Sequence, residues 1–192
     1  MRIQDQEKRL ALKKAALTLV ANDGITQLSM AKLAKATNLS VATAYIYFEN
    51  KTDLLGHLYT EALEQILLAT DGIELSGLPL KEQFTQVLNH YAKALLHNPL
   101  YANFIRIMNT NQEALPIDLQ GQGALVSADF LTVLKLAQKQ QQLRTDNVDI
   151  IVAQVIQPLF WLITERQRLA VTISDDEIAT FIDMAEHAIL LV

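Results

Sequence analysis

The sequence predicts an all-α protein of about nine helices, and three observations carry that expectation. Apolar residues recur three and four positions apart in one stretch after another, the spacing that gathers them on one side of a helix. Only six glycines and four prolines occur in 192 residues, so helix breakers are scarce. Capping side chains stand ahead of the periodic stretches, at Ser29, Ser40, Asn50, Asn98, Asp146 and Ser174, where their oxygens can accept from free backbone N–H groups.

Taken in order, a first helix is expected from about Asp5 to Asn22. Leu12, Ala15, Ala16, Leu19 and Val20 face a core, and Lys8, Arg9, Lys13 and Lys14 lie mostly away from it. Gly24 ends the helix by taking left-handed backbone. Ser29 opens a second helix with Met30, Leu33 and Ala34 on one face. Thr37-Asn38-Leu39 interrupts it, since Asn tolerates the left-handed turn, and Ser40 opens a third helix to about Tyr47. Asn50, with Asp53 three residues on, starts a fourth to about Thr70, whose stripe is Leu54, Leu55, Leu58, Ala62, Gln65 and Ile66. Gly56 within it marks a bend, a close approach or plain tolerance.

Residues 71–80 read as a loop from their Gly and Pro content. A helix from about Lys81 to His97 carries Phe84, Val87, Leu88, Tyr91, Ala92 and Leu95. Asn98 caps the next, with Pro99 in the first helical position, and Leu100, Phe104, Ile107 and Met108 line it. Residues 111–123 are the longest breaker-rich stretch, followed by a helix from about Ala124 to Gln142. Asp146 caps a long helix to about Leu169 whose middle is apolar on nearly all sides, which implies burial all round. Ser174 and Glu177 form a capping box for a last helix to about Leu190.

Two short helices joined by a three- or four-residue turn, as over residues 29–47, make a helix-turn-helix, whose second helix enters the DNA major groove. Leu12, Ala15, Ala16, Leu19, Gly24, Leu33, Ala34, Ser40, Thr43, Tyr45, Tyr47, Phe48, Lys51, Leu54 and Leu55 together resemble the N-terminal domain of the TetR family of bacterial transcriptional repressors. Ser29, Asn38 and Leu39 depart mildly from the family's usual Thr, Gly and Val. The resemblance covers about a quarter of the chain. It implies a three-helix DNA-binding domain over residues 1–50 and a helical effector-binding and dimerisation domain over residues 51–192. It also implies that Ser40, Val41, Ala42 and Thr43 meet bases while Thr43, Tyr45, Tyr47 and Lys51 hold phosphates, with Ser29 counted among the DNA-binding residues. Phe48 is expected to pack the small domain.

The third helix has no Arg, Lys, Asn or Gln for bidentate base contacts, so methyl contacts and DNA shape are expected to carry sequence preference, with phosphates supplying much of the affinity. Lys51 opposes the dipole of its own helix, a conflict that a phosphate at that helix start would reverse. Charge points the same way. Residues 1–55 hold eight basic and five acidic side chains, a net of +3, and the remainder holds eight basic and sixteen acidic ones, a net of −8. A basic head on an acidic body suits a one-faced nucleic-acid binder.

An effector pocket is expected among Phe84, Tyr91, Asn103, Phe104, Met108, Phe130, Gln157 and Trp161, an apolar lining with a few polar groups; each of these can equally be core. Lys93 and Arg106 are the only charged residues between Phe84 and Thr110, which favours an apolar or weakly polar small molecule. The last two helices are expected to form a four-helix interface with a second copy through Val155, Leu159, Leu162, Ile163, Ile178, Phe181, Ile182 and Ala185. No catalytic constellation, metal-ligand set or cofactor motif stands out, and the chain is not expected to be an enzyme. His90 and His97, seven apart, lack the further ligands a metal needs. With no cysteine, no signal-like start and no apolar run of about 18 residues, a cytoplasmic protein with no membrane partner is expected. The function that follows is a ligand-responsive homodimeric repressor on a near-palindromic operator, its heads about 34–36 Å apart or a small multiple. The alternative is a helical ligand-binding or protein-interaction module with little DNA affinity.

Overall fold

In the computed structural model, which describes residues 2–121 and 126–191, ten α-helices follow one another: α1 Arg2–Asp23, α2 Met30–Ala36, α3 Val41–Tyr47, α4 Lys51–Leu68, α5 Leu80–His97, α6 Pro99–Asn109, α7 Ala128–Lys139, α8 Val148–Gln154, α9 Ile156–Arg168 and α10 Asp175–Ile189. Single 3-10 turns lie at Ile25–Gln27, Gln112–Ala114 and Ile117–Leu119. Among the described residues there is no strand, only an isolated bridge between Leu143 and Leu190. The all-α expectation holds, and the helices number nine if α8 and α9 count as one interrupted helix. The expected start of α7 at Ala124 lies outside the described residues.

The chain forms two compact units, Met1–Leu63 with Leu100–Gly123, and Glu64–Pro99 with Ala124–Val192. These compact units divide inside α4, and α6 clusters with the helices of the head.

In the first unit, α1 buries Leu12, Ala16 and Val20, and α2 packs against it with Leu33 and Ala34. Gly24 adopts φ 79° and Asn38 φ 55°, left-handed values that end α1 and turn the chain from α2 into α3. Behind the head, a polar brace ties three helices. Glu61 of α4 takes the Lys13 ammonium of α1 and accepts from the Tyr101 hydroxyl of α6 at 2.8 Å. Buried Tyr59 donates to Asn109 at 2.9 Å. Gly56 marks a close approach, since a Cβ there would lie 2.7 Å from Pro116 Cγ and 2.9 Å from its Cδ.

In the second unit, α5 is the central helix, with α7, α9 and α10 packed on it. Its stripe of Phe84, Val87, Leu88, Tyr91 and Leu95 is buried, and Phe84 meets Phe130 of α7 with ring centroids 5.6 Å apart. Glu186 of α10 is 3% exposed. It is tolerable there because Thr85 donates to it and the Lys81 ammonium lies 3.5 Å away, so the buried charge is paired.

Three local expectations are corrected. The Asn98 side-chain amide donates to Ala94 O at 2.9 Å and so serves the end of α5. Asn147, not Asp146, caps α8, accepting from Asp149 N and Ile150 N at 3.0 and 3.2 Å. The single long helix is broken at Val155 (φ −118°, ψ −60°). Pro158 explains the break: it has no N–H to give Gln154, four residues back, and its ring crowds that carbonyl. Nor is this stretch buried all round, because Ala153, Gln154, Gln157 and Trp161 form an exposed face. By length and composition alone Val148–Arg168 could cross a membrane; its break and the packing of α9 on α5 are those of a core element.

Candidate nucleic-acid interface

Helix α3 is set in place by its ends and its inner side. Ser40 caps it, accepting from Thr43 N at 3.0 Å, and its hydroxyl lies 2.8 Å from that of Thr43. Ser29 caps α2 in the same way, accepting from Lys32 N at 3.2 Å. The inner side of α3 is Ala44, fully buried, followed by Phe48 at 1% exposure. Arg9 stacks 5.8 Å over the Phe48 ring, and His57 meets it edge-on at 5.9 Å. Phe48 is thus a packing residue, as expected.

With 100° between successive residues, Val41, Ala42, Tyr45 and Ile46 fall on one outward arc. All four are exposed, Tyr45 at 51% and Ile46 at 78%. Thr43 and Tyr47 flank that arc and are partly buried. The Tyr47 hydroxyl donates to the Asp5 carboxylate at 3.1 Å. Loss of hydration, then the bond to Asp5 and its charge, raise the Tyr47 pKa above the ordinary 10.0. Ile46 is the residue the sequence analysis passed over. Its position four after Ala42 was the available signal.

Lys51 behaves differently from its neighbours. It is half-buried, and its ammonium donates to Ile25 O at 2.6 Å, strapping the start of α4 to the turn after α1. The conflict with the α4 dipole is therefore met within the chain. An ammonium has three protons, so two remain for another acceptor. Asn50 and Asp53 complete the helix start: Asp53 N donates to Asn50 at 2.9 Å and Glu49 N to the Asp53 carboxylate at 3.0 Å. Lys8, Arg9, Lys14, Lys32 and Lys35 remain exposed around the head.

The residues named for the other two sites scatter. Asn103, Phe104 and Met108 belong to the first unit, the remaining five pocket candidates to the second. Phe84, Tyr91, Phe104, Met108 and Phe130 are buried, Asn103 accepts from Arg106 at 2.7 Å, and Gln157 and Trp161 point outward. The hydroxyl of Tyr91, fully enclosed, has no partner among the described residues, nor does Oε1 of Gln167. Of the dimer candidates, Val155, Leu159, Ile163, Ile178, Ile182 and Ala185 are buried within the chain's own unit. Leu162 and Phe181 are partly exposed and line a shallow depression with Asp176, Glu177, Thr180 and Met184. Among the described residues, no three His, Asp or Glu side chains gather as a metal site would need.

Comparison with known proteins agrees with this arrangement. Residues 12–58 match the family model for bacterial regulatory proteins of the tetR family. An uncharacterized HTH-type transcriptional regulator of Haemophilus influenzae is 33% identical over 81 residues, 42% of this chain and 43% of that protein. The fatty acid metabolism regulator protein of Bacillus subtilis is 26% identical over 112 residues, 57% of this chain and 58% of that protein. The chain thus spans about half the length of the curated relatives it matches. Over its whole length it shares a fold with the crystal structure of a TetR family transcription regulator from Marinobacter aquaeolei, with a TM-score of 0.81, 23% identity and 99% of each chain covered. A capped α3 facing outward from a packed three-helix head falls within the residues that match the tetR family model, and the chain as a whole shares its fold with a solved TetR family regulator.

Proposed function

We propose that the chain is a homodimeric transcriptional repressor that binds a near-palindromic operator and releases it when a small molecule occupies its body. The observation that carries this is the outward arc of α3, exposed on a basic head within residues matched by the tetR model. Ser40, Val41, Ala42 and Thr43 would meet base edges. Thr43, Tyr45, Tyr47 and the remaining protons of Lys51 would serve phosphates, with Ser29 among the DNA-binding residues. Residues 1–50 act as the DNA-binding domain and residues 51–192 as the effector and dimer domain, in the cytoplasm.

The partner surface for a second copy is the outer side of α9 and α10. Trp161 and Met184 are 63% and 67% exposed there, beside Leu162 and Phe181. Exposed apolar side chains grouped on two adjacent helices are what a self-complementary contact covers. For the effector, the buried Tyr91 hydroxyl has no partner among the described residues and can donate to an acceptor on a small molecule. The Bacillus relative's name, a fatty acid metabolism regulator, suits an apolar-tailed effector with an oxygen-bearing head, such as a fatty acyl compound. A ligand of either kind can shift the heads only by its differential affinity for two conformers, typically 1–3 kcal/mol.

A mobility-shift assay of the full chain on the DNA upstream of its own gene tests the central claim. Salt-sensitive, sequence-selective retardation is expected, relieved by the effector. No retardation even at low salt would remove the DNA-binding function and leave a helical ligand-binding or interaction module in its place.

A further inference from the structure

We infer that α3 reads thymine methyl groups, and that Ile46 is the residue that makes the head specific for them. The inference rests on the DNA-binding function proposed above and says what that surface recognises.

The outward arc of α3 consists of Val41, Ala42, Tyr45 and Ile46. Three of the four carry only carbon beyond the backbone, and the fourth ends in one hydroxyl. Several polar side chains near α3 already have partners within the chain: Ser40 with Thr43, Tyr47 with Asp5, Lys51 with Ile25 and Lys32 with Gln27 at 3.0 Å. A major groove offers such an arc one apolar feature, the C5-methyl of thymine; the other edges are donors and acceptors. Seating Ile46 against guanine would bury N7 and O6 without partners, which is penalised, whereas seating it against thymine removes apolar surface from both sides. Preference and rejection therefore act in one direction. Val41 and Ala42 lie within the same arc, so each half-site should present thymine methyls to more than one side chain. Ile46 is also free to serve: it is 78% exposed, and packing of the head does not call for a large apolar side chain there.

The test is selection of binding sites from random duplex DNA by the full chain, followed by replacement of each selected thymine with deoxyuridine, which deletes the methyl and keeps every hydrogen bond. Half-sites with A·T pairs facing α3 are expected, and each critical replacement should weaken binding about three- to fivefold, the worth of one buried methyl. Ile46→Ala should make the protein indifferent to at least one of those replacements, while Ile46→Val retains part of the effect. Selective binding that ignores deoxyuridine, or half-sites with G·C pairs at the contacted positions, would overturn the inference while leaving the DNA-binding function intact. Failure to select any sequence would overturn both.

Discussion

Two faces of this chain present apolar side chains to solvent, and what surrounds them separates them. On α3, Val41, Tyr45 and Ile46 stand out from a head with a net charge of +3 over residues 1–55. On α9 and α10, Trp161 and Met184 are exposed, Met184 in a depression with Asp176 and Glu177, in a remainder with a net charge of −8. Exposed carbon alone does not name a partner. A basic surround invites a polyanion, and an acidic one repels it, so the second face suits a protein surface instead. The acids there are also partly engaged, since Glu177 accepts from Arg166 at 2.8 Å and closes the capping box of α10.

The largest expected effect comes from giving the acidic face one charge too many. Met184→Glu places a carboxylate where Leu162 and Phe181 line the depression, and two-fold symmetry would enter it twice. Sedimentation should show monomers at micromolar concentration. Affinity for a palindromic operator should fall about 100-fold or more, since two linked heads lose their avidity. A variant that stays dimeric would move the interface elsewhere and break the comparison at that end.

A second prediction concerns what packs against α4, the helix that follows α3. Gly56→Ala gains about 1 kcal/mol of helix propensity but drives a methyl into the Pro116 ring, and overpacking costs about 1–3 kcal/mol. A net loss of stability is expected in urea unfolding. Val41→Ala, on the exposed arc, should change stability by no more than about 0.5 kcal/mol. A stabilised Gly56→Ala would mean that Pro116 yields freely and that the segment after α6 does not clamp α4.

These two regions also differ in how far the sequence disclosed them. The head was legible almost residue by residue because its signals are local: Ser29, Ser40 and Asn50 cap the helices expected of them, and Asn38 takes the left-handed turn. The acidic face was not. A stripe such as Val155, Leu159 and Ile163 has the same spacing whether it meets its own chain or a copy, and only packing reveals that it is buried on α5's side. The break at Val155 was readable from Pro158 but was outweighed by the apolar run around it. Lys51 illustrates a third kind of limit, since its bond to Ile25 joins residues 26 apart in sequence and no local pattern encodes it.

Lys51 then gives the third prediction, at the basic end of the comparison. If its free protons reach a phosphate, Lys51→Ala should weaken binding to all sequences alike and flatten the plot of log affinity against log salt by about one per head. An unchanged slope would confine the ammonium to its strap on Ile25, and the exposed lysines around the head would carry the polyanion alone.

The smallest effect sharpens the contrast from within the head. Burial works to raise the Glu61 carboxyl, but hydrogen bonds from Lys13 and Tyr101, with the charges of Lys13 and Arg9, outweigh it and leave its pKa below the ordinary 4.5. A lowered carboxyl contributes stability above its unfolded value and loses it as pH falls through the folded one. Burial first, and the bond to Glu61 second, push the Tyr101 hydroxyl up to about 12 from 10.0. A raised hydroxyl contributes stability below pH 10 that drains away between there and about pH 12. Tyr101→Phe should therefore cost about 1 kcal/mol or less at pH 7, and the deficit should close as the pH climbs through that window. Tyr59 and Tyr91, also raised by burial, titrate in both proteins, so the difference between the two urea curves isolates Tyr101. A deficit that persists unchanged to pH 12 would mean that the ring, and not its bond to Glu61, braces α6 against the head.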